Sequence, residues 1–456
     1  MHLRSLASFP GRISQSLSVS RKYSAGLLTT QSTHARNVQT FTKLHKVKRV
    51  QLLTPAQSAH PSSSLSTSTR AKSSSRIEER TRGVPVSVTK FLQHEDHLQL
   101  EYKGAKLKLN YVWLRDHCRT GDSFNHQTQQ RMVDSALIDP NIQPLNVAID
   151  DGTLNITWPD GHQSEYDLEW LLSNTYEGKQ HIQRTLEPLL WDVETLSASP
   201  SPSVSYQDYL ADDGQLANLL HNLLKYGFAF VEDAPVTVEA TLAAAERICQ
   251  IRETFFGRFW CFTSDLERQD TAYTAESLGA HTDNTYLNEP SGVQVFHKME
   301  HAGEGGDTLL VDGFHAAERL RRDDPEGFDI LSSVSVPHHY LEPAVHTTGV
   351  GPVLELEPGA TKDLKLIRYN IHDRACLDTV PMEDVGRWYA ALRNLTRYIR
   401  DPASEYWVKL KPGQILLTYN WRVLHGRSAF TGRRRVAGCY LPRDDVISRA
   451  RVLKVI

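Results

Sequence analysis

The first 77 residues of this 456-residue chain contain no aspartate and no glutamate. They hold twelve arginines and lysines and are rich in serine and threonine. An acid-free N-terminus rich in arginine and serine is typical of a mitochondrial transit peptide. A disordered basic tail is the alternative, and we favour targeting. We therefore predict that residues 1–77 are a transit or disordered segment and that the protein works in the mitochondrial matrix.

Cysteines and long apolar runs are also scarce. The five cysteines are an odd number without a close pairing pattern, which indicates a reducing compartment rather than a disulfide framework. No apolar run is long enough to span a bilayer, so no membrane partner is expected. Of the 51 lysines and arginines, twelve lie in the N-terminal segment, which leaves 39 against 54 acidic residues. A folded region with a net negative charge repels the phosphate backbone of nucleic acids, so no nucleic-acid partner is expected either.

Short strands dominate the sequence that follows. Polar and apolar residues alternate over His97–Tyr102 and over Leu154–Trp158, which predicts half-buried strands. Pro159–Gly161 is a turn signal. These patterns predict a small β-rich N-terminal domain over residues 84–175.

Residues 200–456 are predicted to form a second, larger domain, after a linker in the Ser- and Pro-rich stretch Ser197–Ser205. The leucine spacing predicts a helix that ends at Gly227. Two more helices are predicted at about Val238–Phe255 and from Pro381 to Ile399. Buried strands are predicted at Phe228–Val231, Gly292–Phe296, Thr308–Val311, Trp407–Leu410 and Gln414–Leu417.

The last two of these strands flank Lys411–Gly413, which is a hairpin signal. Many strands with a few helices predict a mainly β fold. We therefore expect a double-sheet jelly roll, decorated by helices, for this larger domain.

Two imidazoles and a carboxylate form a candidate metal site. On an extended chain, residues two apart point the same way, so His281 and Asp283 are predicted to face one pocket while Thr282 turns away. His425 follows 144 residues later, beside a predicted strand. A His-x-Asp pair alone is a weak signal, because structural histidines are common. Together the three side chains match the facial triad that binds Fe(II) and leaves coordination positions open for oxygen chemistry.

Three consecutive arginines, Arg433, Arg434 and Arg435, follow His425. A guanidinium presents a fixed fork of donors that matches a carboxylate. The cluster could therefore hold the far carboxylate of a 2-oxoglutarate co-substrate. The alternative is a solvated basic turn, and at least one of the three is expected to be that.

Long motifs in this chain resemble the family of γ-butyrobetaine and trimethyllysine hydroxylases, which are Fe(II)- and 2-oxoglutarate-dependent oxygenases. The resemblance covers nearly everything after the N-terminal segment. It is carried by Asn110–Cys118, Trp158–His162, His281–Tyr286, Gly292–His297, Gly305–Phe314, Glu405–Gly413 and Asn420–Arg427. It implies a double-stranded β-helix catalytic domain with a small N-terminal domain.

The resemblance also implies a reaction. Trimethyllysine, 2-oxoglutarate and O2 would give 3-hydroxy-trimethyllysine, succinate and CO2, the first step of carnitine biosynthesis. His281, Asp283 and His425 match the iron ligands of the family. Arg434 matches the arginine that anchors 2-oxoglutarate, and Thr308 is a weaker match to a hydroxyl partner of its carboxylate. The resemblance implies ascorbate as the reductant that keeps the iron ferrous.

A quaternary ammonium group has no hydrogen to donate, so proteins hold it with aromatic faces. Four residues match the aromatic cage of the family: Phe256, Trp260, Tyr273 and Tyr440. Phe256 replaces the usual tyrosine, which removes a hydroxyl but keeps a ring. Taken alone, each aromatic is more often a core residue. Asp270 could pair with the α-amino group of trimethyllysine, or it could be an exposed loop carboxylate.

The N-terminal domain departs from the family pattern. In γ-butyrobetaine dioxygenase this domain resembles a zinc module with three cysteines and one histidine. Here only Cys118 and His162 match, because Thr120 and Ser123 stand in place of the other cysteines. A structural zinc site needs four ligands, so we expect no zinc. The domain could instead contribute to a homodimer interface.

Three functions remain open from the sequence. Trimethyllysine hydroxylation is favoured. Hydroxylation of γ-butyrobetaine or another betaine is the alternative, and the transit segment and missing zinc ligands speak against it. A catalytically inactive binding module with the same fold is the third, and the intact triad with Arg434 speaks against that.

Overall fold

The computed structural model describes residues 90–175, 186–263, 274–358 and 362–456. The predicted transit segment lies outside these residues. Among the described helices, none is long and apolar enough to cross a membrane.

Two three-stranded antiparallel sheets and one short strand pair form the N-terminal region, as the alternating patterns predict for one strand of each three-stranded sheet. Leu98, Leu100, Leu154 and Ile156 point inward from their strands and are buried in one core. The elements are β1 Lys90–Gln93, β2 His97–Tyr102, β3 Ala105–Asn110, α1 Tyr111–Asp116, β4 Phe124–Asn125, β5 Gln130–Arg131, a 3-10 turn Ser135–Leu137, β6 Asn146–Asp150, β7 Thr153–Thr157, β8 Gln163–Asp167 and α2 Leu168–Ser173. Strands β1, β2 and β3 form one sheet, and β6, β7 and β8 form the other.

The remaining chain mixes strands with helices. Its helices are α3 Val193–Ser197, α4 Tyr206–Ala211, α5 Asp213–Tyr226, α6 Val238–Ile248, α7 Gly313–Asp323, α8 Pro325–Ser333, α9 Met382–Ile399 and α10 Arg443–Val452. Its strands are β9 Ser203–Ser205, β10 Phe228–Glu232, β11 Trp260–Thr263, β12 Leu278–His281, β13 Val293–Ala302, β14 Thr308–Asp312, β15 Ser335–Glu342, β16 Val345–Pro352, β17 Leu354–Leu356, β18 Leu364–Ile367, β19 Tyr406–Val408, β20 Ile415–Tyr419, β21 Val423–Arg427 and β22 Arg433–Leu441.

Two sheets of this region face each other across a cavity. The larger has the order β11-β22-β13-β20-β10-β9, and the smaller has the order β12-β21-β14-β19. Side chains of both sheets line the same cavity. The predicted double-sheet jelly roll with a β-rich N-terminal region is therefore confirmed.

Helix α5 ends as its sequence predicts. Gly227 adopts a left-handed φ of 81° at the C-cap, a conformation that glycine reaches without a steric penalty. A Cβ at this position would lie 2.4 Å from Cγ2 of Val423. The glycine thus both ends the helix and lets β21 approach.

Helix α6 is shorter than predicted. It ends at Ile248 rather than near Phe255, because Cys249 is fully extended with a φ of −162°. Beyond it, the amide of Arg252 donates to the carbonyl of Tyr440, which ties the chain to β22. Pairing with a distant strand overrides local helix propensity here, and it carries Phe256 to the cavity wall.

The predicted hairpin around Lys411–Gly413 is wrong, although the turn exists. The amide of Gln414 donates to the carbonyl of Lys411, and Gly413 has a φ of 87°. Strand β19 pairs with β14 in the smaller sheet, whereas β20 lies between β10 and β13 in the larger one. The turn signal is local and does not encode which strands pair, so it could not reveal this crossing between sheets.

The Ser- and Pro-rich stretch Ser197–Ser205 does not act as a free linker. Its last residues form β9, which pairs in parallel with β10. Before it, Trp191 is only 1% exposed and its indole NH donates to the carbonyl of Tyr226. The stretch is therefore anchored at both ends, and the domain boundaries at 84–175 and 200–456 stay predictions.

Candidate metal centre and substrate cavity

Two adjacent strands bring His281, Asp283 and His425 together. His281 on β12 and His425 on β21 are direct partners in the antiparallel pair. The Nε2 atoms of the two histidines lie 3.3 Å and 3.4 Å from Oδ1 of Asp283. Thr282 turns away, as expected from an extended chain, and its hydroxyl donates to the carbonyl of Ile367. Among the described residues this is the one group of three or more His, Cys, Asp or Glu side chains spaced to hold a metal ion.

Neighbouring groups fix the orientation of these side chains. Nδ1 of His281 lies 2.8 Å from the carbonyl of Gly279, which can only accept, so this nitrogen carries the proton and Nε2 presents its lone pair to the centre. Asn420 is fully buried and exchanges two hydrogen bonds with the backbone of Asp283, of 2.8 Å and 3.0 Å. The donor set of two imidazoles and one carboxylate therefore fits a divalent iron.

The other oxygen of Asp283 is held from the opposite sheet. The phenol of Tyr440 donates to Oδ2 of Asp283 at 2.9 Å, and the amide of Gln294 donates to the same oxygen at 2.5 Å. Gln294 on β13 and Tyr440 on β22 are direct strand partners. Sequence reasoning missed Gln294 and Asn420, although both lie in the quoted motifs. A long-range contact gives no local sequence signal.

Electrostatics keep Asp283 ionised. Burial alone would raise the pKa of Asp283, but His425 and His281 outweigh it and hold this pKa well below its ordinary value. Burial alone would lower the pKa of His281, yet the hydrogen bond and charge of Asp283 raise it, and Asp373 adds to the effect. Burial lowers the pKa of His425. An ionised carboxylate beside a neutral imidazole is the form that binds a metal.

Aromatic rings line the cavity that contains this centre. Phe256, Trp260 and Tyr440 all line it, and the rings of Trp260 and Tyr440 lie 6.3 Å apart. Three further aromatics, Phe262, Tyr286 and Phe296, line the same cavity. Phe262 follows Trp260 by two residues on β11, a spacing that could have revealed it. The other two predicted site residues, Asp270 and Tyr273, lie outside the described residues.

A glycine makes room for the Trp260 ring. Gly438 on β22 is the strand partner of Trp260 on β11. A Cβ at Gly438 would lie 2.3 Å from the indole and 2.2 Å from the carbonyl oxygen of Val295. Only a residue without a side chain lets the ring pack this close to the sheet.

Successive side chains of β22 point to opposite faces of the sheet, so the neighbouring arginines have different surroundings. Arg434 is 4% exposed and lines the cavity, whereas the side chain of Arg433 is 67% exposed. The Arg434 guanidinium lies 5.3 Å from the ring of Phe296 and 5.4 Å from that of Phe430. Burial, with repulsion from Arg427, lowers the pKa of Arg434 to about 9.

The surroundings of Arg434 are cationic and buried. Lys298 is 1% exposed, and burial together with Arg434 and Arg427 lowers its pKa to about 7. Nε of Arg434 has no hydrogen-bond partner among the described residues. Thr308 is also buried here, on β14 opposite Arg427. The charge of Asp307 only partly opposes the lowering of the Lys298 pKa. The buried guanidinium of Arg434 in the cavity wall is suited to an anionic ligand. Lys298 and Arg427 were not predicted from the sequence.

The four N-terminal residues at the positions of the family's zinc ligands lie close together. Sγ of Cys118 lies 3.1 Å from the hydroxyl of Thr120 and 3.2 Å from Nε2 of His162. The hydroxyl of Ser123 lies 3.3 Å from the same imidazole. Hydrogen bonds therefore link these four side chains. The absence of zinc stays a prediction.

Both the N-terminal region and the region with the metal centre are similar in sequence to known protein families. The family described as taurine catabolism dioxygenase TauD, TfdA family matches residues 153–440, and that described as γ-butyrobetaine hydroxylase-like, N-terminal, matches residues 89–172. Trimethyllysine dioxygenase, mitochondrial, of Bos taurus is 51% identical over 366 residues, covering 79% of this chain and 86% of that protein. The Homo sapiens protein of the same name gives the same identity and coverage. γ-Butyrobetaine dioxygenase of Pongo abelii is 29% identical over 357 residues, covering 75% of this chain and 90% of that protein.

Proposed function

Because the chain belongs to the taurine catabolism dioxygenase TauD, TfdA family and, within it, to the trimethyllysine dioxygenases, we propose that it hydroxylates N6-trimethyllysine at carbon 3. One atom of O2 enters the substrate and the other enters succinate, while 2-oxoglutarate loses CO2. The observation that carries the proposal is the 51% identity across 86% of the bovine enzyme. The close approach of two imidazoles and a carboxylate in a cavity lined by aromatic rings supports it.

His281, Asp283 and His425 are proposed to hold Fe(II). Bound iron supplies oxygen activation at the coordination positions that three protein ligands leave open. Tyr440 and Gln294 hold Oδ2 of Asp283, so that Oδ1 faces the two imidazoles. These contacts orient the carboxylate, as partners of metal ligands commonly do.

Arg434 is proposed to bind the far carboxylate of 2-oxoglutarate. Its buried guanidinium offers a charge-assisted, forked contact, and Thr308 offers a hydroxyl on the facing strand. The nearby cations Arg427 and Lys298 would add to the attraction for this anion.

Phe256, Trp260 and Tyr440 are proposed to bind the trimethylammonium group through their ring faces. Phe262 and Phe296 line the same cavity beside Trp260. Tyr273 keeps its proposed place in the cage on sequence grounds alone. A trimethylammonium ion keeps its charge without a hydrogen to donate, which suits a wall of rings better than a set of acceptors.

The remaining features of the proposal rest on family and composition. The relatives named mitochondrial support a mitochondrial location, and the acid-free N-terminal segment suggests the matrix. Ascorbate as reductant follows from the family resemblance. A homodimer through the N-terminal domain is a further proposal.

Mass spectrometry tests the activity. The full chain is incubated with Fe(II), 2-oxoglutarate, O2 and either trimethyllysine or γ-butyrobetaine. We expect a gain of one oxygen atom on trimethyllysine, matched by an equal amount of succinate. His425→Ala should lose both turnover and bound iron, while His346→Ala, at an exposed histidine, should lose neither. Faster hydroxylation of γ-butyrobetaine, or no oxygen gain by an iron-loaded enzyme, would contradict the proposal.

A further inference from the structure

Lys298 is a buried amine close to the proposed 2-oxoglutarate site. It lies on β13 and is 1% exposed. Side chains of a strand alternate between its two faces, and Gln294 and Phe296 of this strand line the cavity. Lys298 therefore follows them on the same face of the sheet, whereas His297 points the other way, toward the hydroxyl of Thr241.

Arg434 lies on the same face of the neighbouring strand. β22 pairs with β13, with Val436 opposite Lys298 and Gly438 opposite Phe296. Alternation along β22 places Arg434 on the same side as Val436, and Arg434 lines the cavity. The guanidinium of Arg434 lies 5.3 Å from the ring of Phe296, two residues before Lys298. The amine is thus a neighbour of the group proposed to bind the far carboxylate of 2-oxoglutarate.

Most of the charged groups around this amine are cations. Burial, with the positive charges of Arg434 on β22 and Arg427 on β21, lowers the pKa of Lys298 to about 7. Asp307, just before β14, opposes the lowering, while Lys409, just after β19, adds to it. β20, the other strand neighbour of β13, carries no charged side chain. One carboxylate against three cations favours the neutral amine, and a further anion would reverse that balance.

The far carboxylate of 2-oxoglutarate would be that anion. Its negative charge beside Arg434 would offset the repulsion that Arg434 exerts on the amine and would favour the ammonium form. We propose that Lys298 takes up a proton from solvent when 2-oxoglutarate binds, and that the resulting ammonium charge strengthens the binding. The inference rests on the proposed co-substrate site at Arg434. Lys298 acts on the co-substrate through its charge, beside the direct contact of Arg434.

Binding of 2-oxoglutarate should therefore weaken in alkaline solution. Well below about pH 7 the amine is charged with or without the co-substrate, so binding takes up no proton. Above that pH the amine is neutral in the free protein and charged in the complex. Because the coupling between proton and co-substrate is reciprocal, the affinity should fall by up to about tenfold for each further pH unit.

Isothermal titration calorimetry counts the protons. The full chain is loaded with Fe(II), kept free of oxygen and titrated with 2-oxoglutarate in buffers of different ionisation enthalpy. We expect an uptake approaching about one proton for each 2-oxoglutarate bound at about pH 8, and close to none at about pH 6. The same small uptake at both pH values in the unmodified chain would disprove the inference without any variant.

Two substitutions of Lys298 separate its charge from its place in the sheet. Lys298→Met removes the charge and should weaken 2-oxoglutarate binding about tenfold at about pH 6.5, with no proton uptake at any pH. Lys298→Arg keeps a permanent charge, so it should also take up no proton but should bind 2-oxoglutarate at least as tightly as the unmodified chain at about pH 8. A residue that only supports the sheet would give weaker binding in both variants, which would contradict the role of its charge.

His301, on the same strand, is the rival titrating group. Burial, with the charges of Lys298 and Arg434, lowers its pKa. His301→Gln should keep the proton uptake of the unmodified chain. Loss of the uptake in His301→Gln, with the uptake retained in Lys298→Met, would assign the proton to the histidine and overturn the proposal. Lys411→Met, at an exposed lysine in the turn before β20, is the control and should behave like the unmodified chain.

The same titrations separate this inference from the site on which it rests. Failure of 2-oxoglutarate to bind the iron-loaded chain, or undiminished binding to Arg434→Met, would overturn the proposed co-substrate site. Binding that is lost in Arg434→Met but carries no proton uptake in the unmodified chain would overturn the role of Lys298 alone.

Discussion

Identical side chains in β22 meet different surroundings because a strand alternates its faces. Arg434 points into the cavity between Phe296 and Phe430, while Arg433 points outward, where it lies 3.7 Å from Glu300. An exposed ion pair of this kind contributes little, whereas a buried guanidinium is sensitive to its partner. The two arginines therefore form a matched pair for testing the co-substrate contact.

Arg434→Met should raise the KM for 2-oxoglutarate far more than the KM for trimethyllysine. The variant keeps an apolar stem against Phe296 and removes the charged fork. A contact between charged groups contributes roughly 1.5–3 kcal/mol, which corresponds to about tenfold or more in the 2-oxoglutarate KM. Steady-state kinetics with each substrate varied in turn measure the effect.

Arg433→Met is the control and should leave both constants unchanged. If Arg433→Met instead raises the 2-oxoglutarate KM while Arg434→Met does not, the proposed role of Arg434 is wrong.

The ion pair between Asp312 and Arg422 joins several elements at one buried point. Both side chains are almost fully buried, and the guanidinium makes contacts of 2.7 Å and 3.1 Å to the two carboxylate oxygens. Asp312 also caps α7 by accepting from the amide of Phe314, and Arg422 donates to the carbonyl of Lys225 at the end of α5. The pair thereby links β14 and α7 to α5 and to the turn before β21, which carries His425.

Arg422→Ala should lower the free energy of unfolding by about 3–5 kcal/mol, because Asp312 would stay buried as an uncompensated charge. Chemical denaturation of the full chain measures it. Arg322→Ala is the control, since the ion pair of Arg322 with Asp323 is on α7 but its arginine side chain is 70% exposed. That variant should lower the free energy of unfolding by less than about 1 kcal/mol. Comparable losses of stability in the two variants would show that burial of the Asp312–Arg422 pair does not determine its contribution to stability.

Two buried histidines make the whole molecule sensitive to acid. His297 is fully buried beside the hydroxyl of Thr241 at 2.7 Å, and His338 is 2% exposed. Burial lowers the pKa of each to about 4. An unfolded histidine takes up its proton near pH 6.5, so between about pH 6.5 and pH 4 the unfolded state binds more protons. Stability contributed by the neutral histidines is present above that window and is lost as the pH falls through it.

The free energy of unfolding should therefore fall as the pH is lowered from about 6.5 to 4, by up to roughly 3 kcal/mol for each histidine. His297→Gln keeps a polar group near Thr241 and removes one titrating site. Denaturation at several pH values should show a shallower slope for this variant than for the unmodified chain. His346→Gln, at an exposed histidine, should leave the slope as it was, and an unchanged slope in His297→Gln would disprove the role of that residue.

Motifs in the sequence were enough to predict the family and the enzyme class, and strand patterns were enough to predict the double-sheet fold. All three predictions are confirmed. The glycine that ends α5 and the alternating strands β2 and β7 were predicted because backbone conformation and side-chain periodicity are encoded within a few residues. The His-x-Asp spacing likewise placed His281 and Asp283 on one side of an extended chain.

Only the tertiary structure decided which distant segments meet. It sent β19 and β20 to different sheets, ended α6 early through pairing with β22, and turned Arg434 rather than Arg433 toward the cavity. It also set Tyr440 against Asp283 and brought Asp373 into the lining of the same cavity. The residues in these contacts are often more than a hundred positions apart in the sequence. They meet only when the two sheets pack against each other, and that packing depends on the whole core rather than on any short stretch of sequence.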